Sequence, residues 1–343
     1  MASKKYSLFL GIICLLASGA FAQVQTGYDI KDSSLIPAKR QPQHNEFLNN
    51  AYPFPAKPRN QWELGLKFGV PTISGDVPIV FPTFGFGAHV RKAFGYVFSM
   101  RLEYMHGTMK GLNWLGSSNY GKNSAWTSTG YIPRRVDNAG NRILEVDRVF
   151  HNYKTTTNDL SLQGVVTLNN VRFHKSKSGF NAYLFGGIGA TIYDSKVNAL
   201  NGSTRYNFNS ITNGTYDSRK DTRKALKDLM DDSYETDAEN EGDRRPELFG
   251  STLKPSGTLG VGLAIKLSKR INLALEERFT IVKTDLLDGQ RWQEQPWGDA
   301  ALSPDYDSYN FVSLGLNINL GAKATEPLWW VNPLDYAYNE INA

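Results

Sequence analysis

Eight stretches of this chain alternate apolar and polar side chains with a period of two, and this pattern limits the fold more than any other feature. Successive side chains of a β-strand point to opposite faces, so each stretch predicts a strand with one apolar face. In the first stretch, Trp62 and Leu64 alternate with Glu63 and Lys67. The fifth stretch is apolar on both faces, which leaves its phase open. The stretches read WELGLKFGV, TFGFGAHVRK, FGYVFSMRLEYMHG, DLSLQGVVTL, FNAYLFGGIGATIYD, GTLGVGLAIKLS, INLALEERFTIVK and YNFVSLGLNINLG.

The connections between these stretches alternate between long and short. The longer ones are Pro71–Pro82, Gly111–Thr156, Ser195–Pro255 and Asp285–Tyr306, and the short ones lie around Ala93, at Arg172–Gly179 and at Ser268–Arg270. Transmembrane barrels have an even strand number, tight turns at one end and long loops at the other. A soluble β-sandwich would alternate as well, but without this loop asymmetry.

The sequence therefore predicts an all-β fold, an eight-stranded antiparallel transmembrane β-barrel over residues 62–321 with long extracellular loops. An even strand count returns the chain to its starting side. Residues 23–61 and 322–343 are accordingly expected to form periplasmic N- and C-terminal segments.

The N-terminus has the pattern of a secretory signal peptide over residues 1–22. Lys4 and Lys5 precede an apolar run, and Ala20 to Ala22 form a small-x-small cleavage sequence. The one cysteine, Cys14, lies within this run, so the mature chain is expected to be exported without a disulfide. No other run approaches 18 apolar residues, which leaves strands as the means of spanning a membrane. The outer membrane is the expected location.

The polar phase of the strands carries charges of both signs in similar numbers. Buried charges persist only when they are paired, so we expect these side chains to fill the barrel interior as a network of ion pairs and hydrogen bonds. The alternative is an ion pathway or a proton-linked site. The inward set is Glu63, Lys67, His89, Arg91, Arg101, Glu103, Gln163, Lys266, Glu276 and Arg278.

Glu277 departs from this pattern because it falls on the apolar phase of the seventh stretch. A carboxylate facing the bilayer is unfavourable. A local bulge, a protein neighbour or a protonated side chain would each explain it.

Motifs for chemistry are weak, and the expectation is a non-enzymatic protein without cofactor or metal. His106 and His151 lie near the predicted extracellular rim, with Asp147 and Asp159 nearby in sequence. A rim enzyme acting on lipid would need a nucleophile and a base within hydrogen-bond distance. The net charge of +5 is modest, so nucleic acid is not an expected partner. The expected partners are outer-membrane lipids including lipopolysaccharide. The longest loop is expected to be a solvated loop with a short helix around Leu226 and Leu229, and docking of a partner or contact with lipopolysaccharide is the alternative.

Three segments are similar to the N-terminal barrel region of OmpA-family outer-membrane proteins of Bacteroidota. They are KRQPQHNEFLNNAYPFPAKPRNQWELGLKFG, FGFGAHVRKAFGYVFSMRLEYMHGTMKGLNW and PLWWVNPLDYAYNEIN. The resemblance implies a structural role in the envelope. In that family, acidic calcium-binding repeats and a peptidoglycan-binding domain follow the barrel, and this sequence has neither. It is therefore expected to be part of a longer protein or a short relative without the wall anchor.

The aromatic tail is expected to cap the periplasmic mouth of the barrel. Trp329 or Trp330 would pack against Phe47 or Phe54 of the N-terminal segment, and Pro333 would begin a short helix. The alternative is separate contact of the two segments with lipid headgroups, where Trp and Tyr commonly lie.

Together these features predict a structural outer-membrane protein that supports envelope integrity, with wall tethering where a peptidoglycan-binding domain follows. An accessory subunit of a larger outer-membrane machine is the alternative, and the rim enzyme is the third. Other outer-membrane proteins and peptidoglycan remain possible partners.

Overall fold

The architecture follows from the eight alternating stretches. The computed structural model describes residues 30–134, 146–171, 179–212, 214–239, 246–293, 301–302, 306–321, 326–332 and 334. The predicted signal peptide and the helix predicted after Pro333 lie outside these residues. Eight long strands form at β1 (Trp62–Ser74), β2 (Phe84–Ala93), β3 (Phe98–Leu112), β4 (Asn152–Thr167), β5 (Phe180–Val197), β6 (Ser251–Lys266), β7 (Ile271–Val282) and β8 (Ser308–Leu320).

Each strand pairs antiparallel with the next one along the chain, and β8 pairs with β1. The closing ladder runs from Trp62 opposite Leu320 to Ser74 opposite Ser308. The sheet is thus a closed barrel, and the predicted eight strands are confirmed.

The two ends of the barrel differ. At one end, which we name the turn end, β2 joins β3 and β6 joins β7 through tight turns. In these turns Phe94 N–H donates to Phe98 C=O and Leu267 N–H donates to Ile271 C=O. The other end, the loop end, bears the long connections.

The outer face of the barrel is apolar and exposed, whereas the inner face is polar and buried. In β1, Leu66 and Phe68 are exposed, while Glu63 and Lys67 are 2% exposed. The same alternation occurs along β8, where Leu314 is exposed. The fifth strand, whose phase the sequence left open, turns Tyr183 and Phe185 inward.

Glu277 of β7 lies on the exposed outer face, opposite Val261 of β6 on one side and Val312 of β8 on the other. The register is continuous on both sides of it, so the strand has no bulge at this position.

The loops at the loop end pack into their own hydrophobic cluster. Trp126 and Phe150 lie at its centre, and Phe208 packs edge-on against both rings. A helix, Arg219–Leu229, contributes the buried Leu226, as the pattern around that residue predicts. These loops are therefore a folded structure on top of the barrel.

Short elements complete the described chain. The helices are α1 (Gln41–Leu48), α2 (Ser124–Thr127) and α3 (Arg219–Leu229), with 3-10 turns at Ser33–Leu35, Ala38–Arg40, Leu168–Asn170, Phe208–Ser210 and Leu328–Trp330. Two-residue strands lie at Leu200–Asn201, Thr204–Arg205, Thr236–Asp237, Glu247–Leu248, Trp292–Gln293 and Ala301–Leu302. In the part of the chain that the structure describes, every helix is too short or too polar to cross a membrane.

The N-terminal segment folds at the turn end. Arg40 Nη1 donates to Lys57 C=O at 3.0 Å, and Lys57 Nζ donates to Phe94 C=O in the β2–β3 turn. Ala93 N–H donates to Gln61 C=O. The segment is thus tied to the first tight turn.

Candidate functional site

The middle of the barrel interior holds a ring of paired charges from three strands. Lys67 Nζ donates to Glu103 Oε2 at 2.6 Å and to Glu276 Oε2 at 2.5 Å. Arg101 Nη1 donates to Glu276 Oε1 at 2.6 Å, and its Nη2 lies 3.2 Å from Glu103 Oε2. These side chains are 0–4% exposed. Each charge is therefore taken out of water together with an opposite charge, which is the condition for a buried charge to persist.

Towards the loop end, Arg278 extends the network to Asp159. Its Nη1 donates to Glu103 Oε1 at 3.0 Å and its Nη2 donates to Asp159 Oδ1. Asp159 also accepts from Thr191 Oγ1 at 2.7 Å and Ser256 Oγ at 2.8 Å. Asp159 is close to the predicted rim histidines in sequence, but it is an inward, fully buried residue of the barrel. Asp159 shares the inward phase of Ser161 and Gln163, so its position was readable from the alternation.

Towards the turn end, Glu63 is the main acceptor. Asn272 Nδ2 donates to its Oε2 at 2.9 Å, His89 Nε2 lies 3.5 Å from its Oε1, and Arg91 Nη1 lies 3.9 Å from the same atom. Arg91 Nε donates to Ser99 Oγ at 2.7 Å.

Two aromatic rings from β5 fill the space beside these charges. Tyr183 Oη donates to Glu276 Oε1 at 2.6 Å, and the Arg101 guanidinium lies 4.3 Å from the Phe185 ring centroid. Gly262 and Gly260 of β6 face these rings, where a Cβ would stand 2.3 Å and 2.2 Å from ring atoms. Glycine on β6 thus makes room for the large inward rings of β5, which the sequence analysis missed.

The tail closes the turn end from inside the barrel. Trp329 and Trp330 are buried, and the Arg91 guanidinium lies 3.9 Å from the Trp329 ring centroid. Trp329 C=O accepts from Asn170 Nδ2 at 3.0 Å and Asn181 Nδ2 at 3.2 Å.

Lys266 fixes the same segment through an ion pair. Its Nζ donates to both carboxylate oxygens of Glu326, at 2.8 and 2.7 Å, and lies 5.2 Å from the Trp330 ring centroid. The space between Glu63, Arg91 and Trp329 is too narrow for a water molecule.

The expected contact between the tail and Phe54 is wrong. Phe54 is 55% exposed and lies edge-on against Tyr52, whereas the Trp rings are covered by inward cations of the barrel. Phe47 is half-buried on α1. A cation inside the barrel attracts the face of an indole ring, and this attraction is stronger away from water. An exposed phenylalanine side chain provides no such attraction.

The histidines and aspartates expected near the rim have different neighbours in the structure. His106 Nδ1 lies 2.9 Å from Asn158 Oδ1 on the outer face, and His151 lies in the loop cluster beside Trp126. Asp147 Oδ2 accepts from Arg205 Nη1 at 3.1 Å.

A pair of carboxyl groups lies in the loops at the loop end, outside the strands. Asp307 Oδ2 accepts from Leu287 N–H at 2.7 Å, and Asp288 Oδ2 accepts from Val77 N–H at 3.0 Å. Burial raises the pKa of Asp288 to about 7, and burial together with the neighbouring Asp288 charge raises the pKa of Asp307 to about 9. Among the described residues, no group of three or more His, Cys, Asp or Glu side chains is arranged to hold a metal ion.

Comparison with known proteins gives likenesses of fold only. No protein-family model matches the chain, and no curated protein matches it. Ail of Yersinia pestis, solved with the heparin analogue sucrose octasulfate, is 8% identical over 76% of this chain and 99% of its own, with a TM-score of 0.34. The N-terminal β-barrel domain of Pseudomonas aeruginosa OprF is 8% identical over 76% and 100%, with a TM-score of 0.28. The outer membrane enzyme PagL is 8% identical over 75% and 98%, with a TM-score of 0.27.

Proposed function

We propose that this protein is a non-enzymatic structural barrel of the outer membrane, of the OmpA type seen in Bacteroidota, that supports the integrity of the envelope. One observation carries the proposal: a closed barrel with an exposed apolar outer face and an interior filled by its own paired charges. An apolar outer face is stable only where lipid or another protein covers it. A filled interior suits a structural role better than transport.

The tail supports the same role. The segment from Glu326 to Val331 is anchored inside the turn end through Arg91, Asn170 and Lys266. A rigid exit would fix the direction of a wall-binding domain where one follows. The turn end would then face the periplasm and the loop end the cell exterior.

The test is deletion of the gene followed by complementation. We expect the deletion strain to take up a hydrophobic dye faster and to become sensitive to vancomycin, and the full chain to restore both barriers. Protease added to intact cells is expected to cut within residues 198–250 and to spare the turn at 172–178. Unchanged barriers would count against the structural role, and cleavage confined to 172–178 would reverse the orientation.

The folded loops favour a second candidate, an accessory subunit that docks a partner through the loop end. A cluster with buried Trp126 and Phe208 gives the loops a fixed shape. Loops with a fixed shape can present a constant binding surface to a partner. A variant in which short turns replace residues 113–151 and 198–250 separates the two functions. It should restore the barriers if the barrel alone supports the envelope, and fail if the loops bind a partner.

A further inference from the structure

A row of three lysines crosses the outer face of the barrel near the loop end. In the strand register, Lys110 of β3 lies directly opposite Lys154 of β4, and Lys154 lies directly opposite Lys196 of β5. Like charges directly opposite each other on one face are unfavourable unless counter-charges accompany them. Negative charge beside this row is therefore stabilising.

The counter-charges come from the segment after α3, which lies across the row. Lys110 Nζ donates to Asp232 Oδ2 at 2.7 Å, and Lys196 Nζ donates to Asp237 Oδ1 at 2.6 Å. Lys154 has no carboxylate partner among the described residues and lies 5.8 Å from the Tyr234 ring centroid. The aspartate of the first pair is 67% exposed and that of the second 84%, so both pairs are weak and exchangeable.

A cleft of about 520 Å³ opens beside Lys110. Its lining includes Phe81 and Phe84, Thr108 and Lys110 of β3, and Lys227 of α3. Met230, Asp232 and Tyr234 also line it.

The aromatic part of the cleft lining continues into the lipid-facing surface. Phe84 is 72% exposed and begins the outward apolar column of β2. It pairs with Thr108, and Lys110 is the next outward position of β3 beyond Thr108. The cleft thus lies where the apolar face gives way to cations.

Helix α3 fixes the second cation of the cleft. Leu226 is buried in the loop cluster, and Arg223 Nε donates to Leu112 C=O at 3.0 Å. These contacts hold the last turn of the helix, with Lys227, over the cleft. Two non-glycine residues that line the cleft have a positive φ: Asp232 at 61° and Tyr234 at 53°. Such strained conformations cluster at ligand clamps.

We propose that this cleft binds the phosphorylated headgroup of an outer-leaflet glycolipid. Lys110 and Lys227 hold a phosphate, and Phe81 and Phe84 cover the first carbons of an acyl chain. A phosphate carries more charge than the Asp232 carboxylate and displaces it from Lys110. The proposal rests on the proposed outer-membrane location, but its test uses purified protein and does not depend on a role in the envelope.

The test measures lipid binding to the full chain, folded in neutral detergent, by native mass spectrometry. The probes are bisphosphorylated lipid A and the same lipid without its phosphates. We expect one tight site for the first and a clear loss of affinity for the second. Lys110→Ala and Lys227→Ala are each expected to weaken binding about fivefold, the usual contribution of one lysine near anionic lipid.

Two further variants separate this site from general effects. Lys224→Ala removes an exposed lysine from the same helix that does not line the cleft, and binding should stay unchanged. Asp232→Asn releases Lys110 from its carboxylate and should tighten binding, which a damaged fold would not do.

Three results would overturn the proposal. The first is equal affinity for the two lipids. The second is an affinity for lipid A in Lys110→Ala and in Lys227→Ala that equals the affinity of the control Lys224→Ala. The third is binding of inorganic phosphate alone as tightly as lipid A, which would make the cleft a site for soluble anions.

Discussion

The guanidinium of Arg91 lies over the indole of Trp329, 3.9 Å from the ring centroid, inside the turn end of the barrel. One partner is an inward residue of β2 and the other belongs to the tail, more than two hundred positions further along the chain. The contact joins the tail to the charge network, because Arg91 also lies 3.9 Å from Glu63. The barrel and its tail are therefore expected to unfold together.

Replacing the buried indole tests this coupling. Trp329→Ala should lower the free energy of unfolding by roughly 3–5 kcal/mol, because it leaves a cavity and uncovers Arg91. Urea unfolding followed by circular dichroism measures the loss. Phe54→Ala serves as the control. Because this side chain is exposed, its loss should change the free energy of unfolding by less than about 0.5 kcal/mol. Equal small effects of both variants would show that the tail does not stabilise the barrel.

The Arg278–Asp159 pair should show the cost of a buried unpaired charge. Arg278→Ala leaves Asp159 without its cation and should destabilise the barrel by roughly 3–5 kcal/mol. The double variant Arg278→Met with Asp159→Leu removes both charges and should be less destabilised than Arg278→Ala alone. Exposed Lys269→Ala is the control. A double variant that loses as much stability as Arg278→Ala, or more, would argue against pairing.

The filled interior predicts a closed bore. Purified protein in planar bilayers should show no steady conductance, because Lys67, Arg101 and Glu276 meet across the middle of the barrel. A chain ending at residue 325 lacks the Trp cap and should stay closed as well, since the network lies beyond the cap. A stable channel in the native protein would contradict the prediction, and one confined to the shortened chain would assign closure to the cap.

Much of the barrel was readable from the sequence because one rule governs it. Period-two alternation decides which face of the sheet a side chain is on, so the sequence alone predicts that Lys67, Arg101 and Glu276 share the inner face. Their partners across the bore depend on shear and strand tilt, which no linear pattern contains. The phase of β5 cannot be predicted from alternation, because Tyr183 and Leu184 are both largely apolar. The glycines of β6 are the one sequence signal that favours inward rings at this strand.

The contacts of the tail and loops could not be read in the same way. Glu326 meets Lys266 because the tail turns back into the barrel, and nothing periodic in the tail indicates that turn. The loop cluster around Trp126 joins residues from distant connections. Such contacts follow from packing in three dimensions, whereas alternation describes only one strand at a time.

The carboxyl pair at the loop end predicts a stability that falls as pH rises. Aspartate in an unfolded chain titrates near pH 4, whereas the pKa of Asp288 is about 7 and that of Asp307 about 9 in the folded protein. Between about pH 4 and pH 9 the folded state therefore holds more protons than the unfolded state. The stability that these protons provide is fully present below pH 4 and is lost progressively as the pH rises to about 9. Asp76 and Asp285 act in the same direction, because their charges raise the pKa of Asp288 and Asp307 respectively.

We expect the free energy of unfolding to fall by about 1.4 kcal/mol per pH unit for each extra proton that the folded state holds. Asp307→Asn keeps an oxygen that can accept from Leu287 N–H but cannot ionise, so its slope between pH 5 and pH 9 should be shallower than that of the native protein. Asp228→Asn, an exposed change on α3, should leave the slope as it is. Urea unfolding across this pH range measures the three slopes. Parallel curves for the native protein and Asp307→Asn would show that Asp307 is ionised throughout the window and that the pair carries no pH dependence.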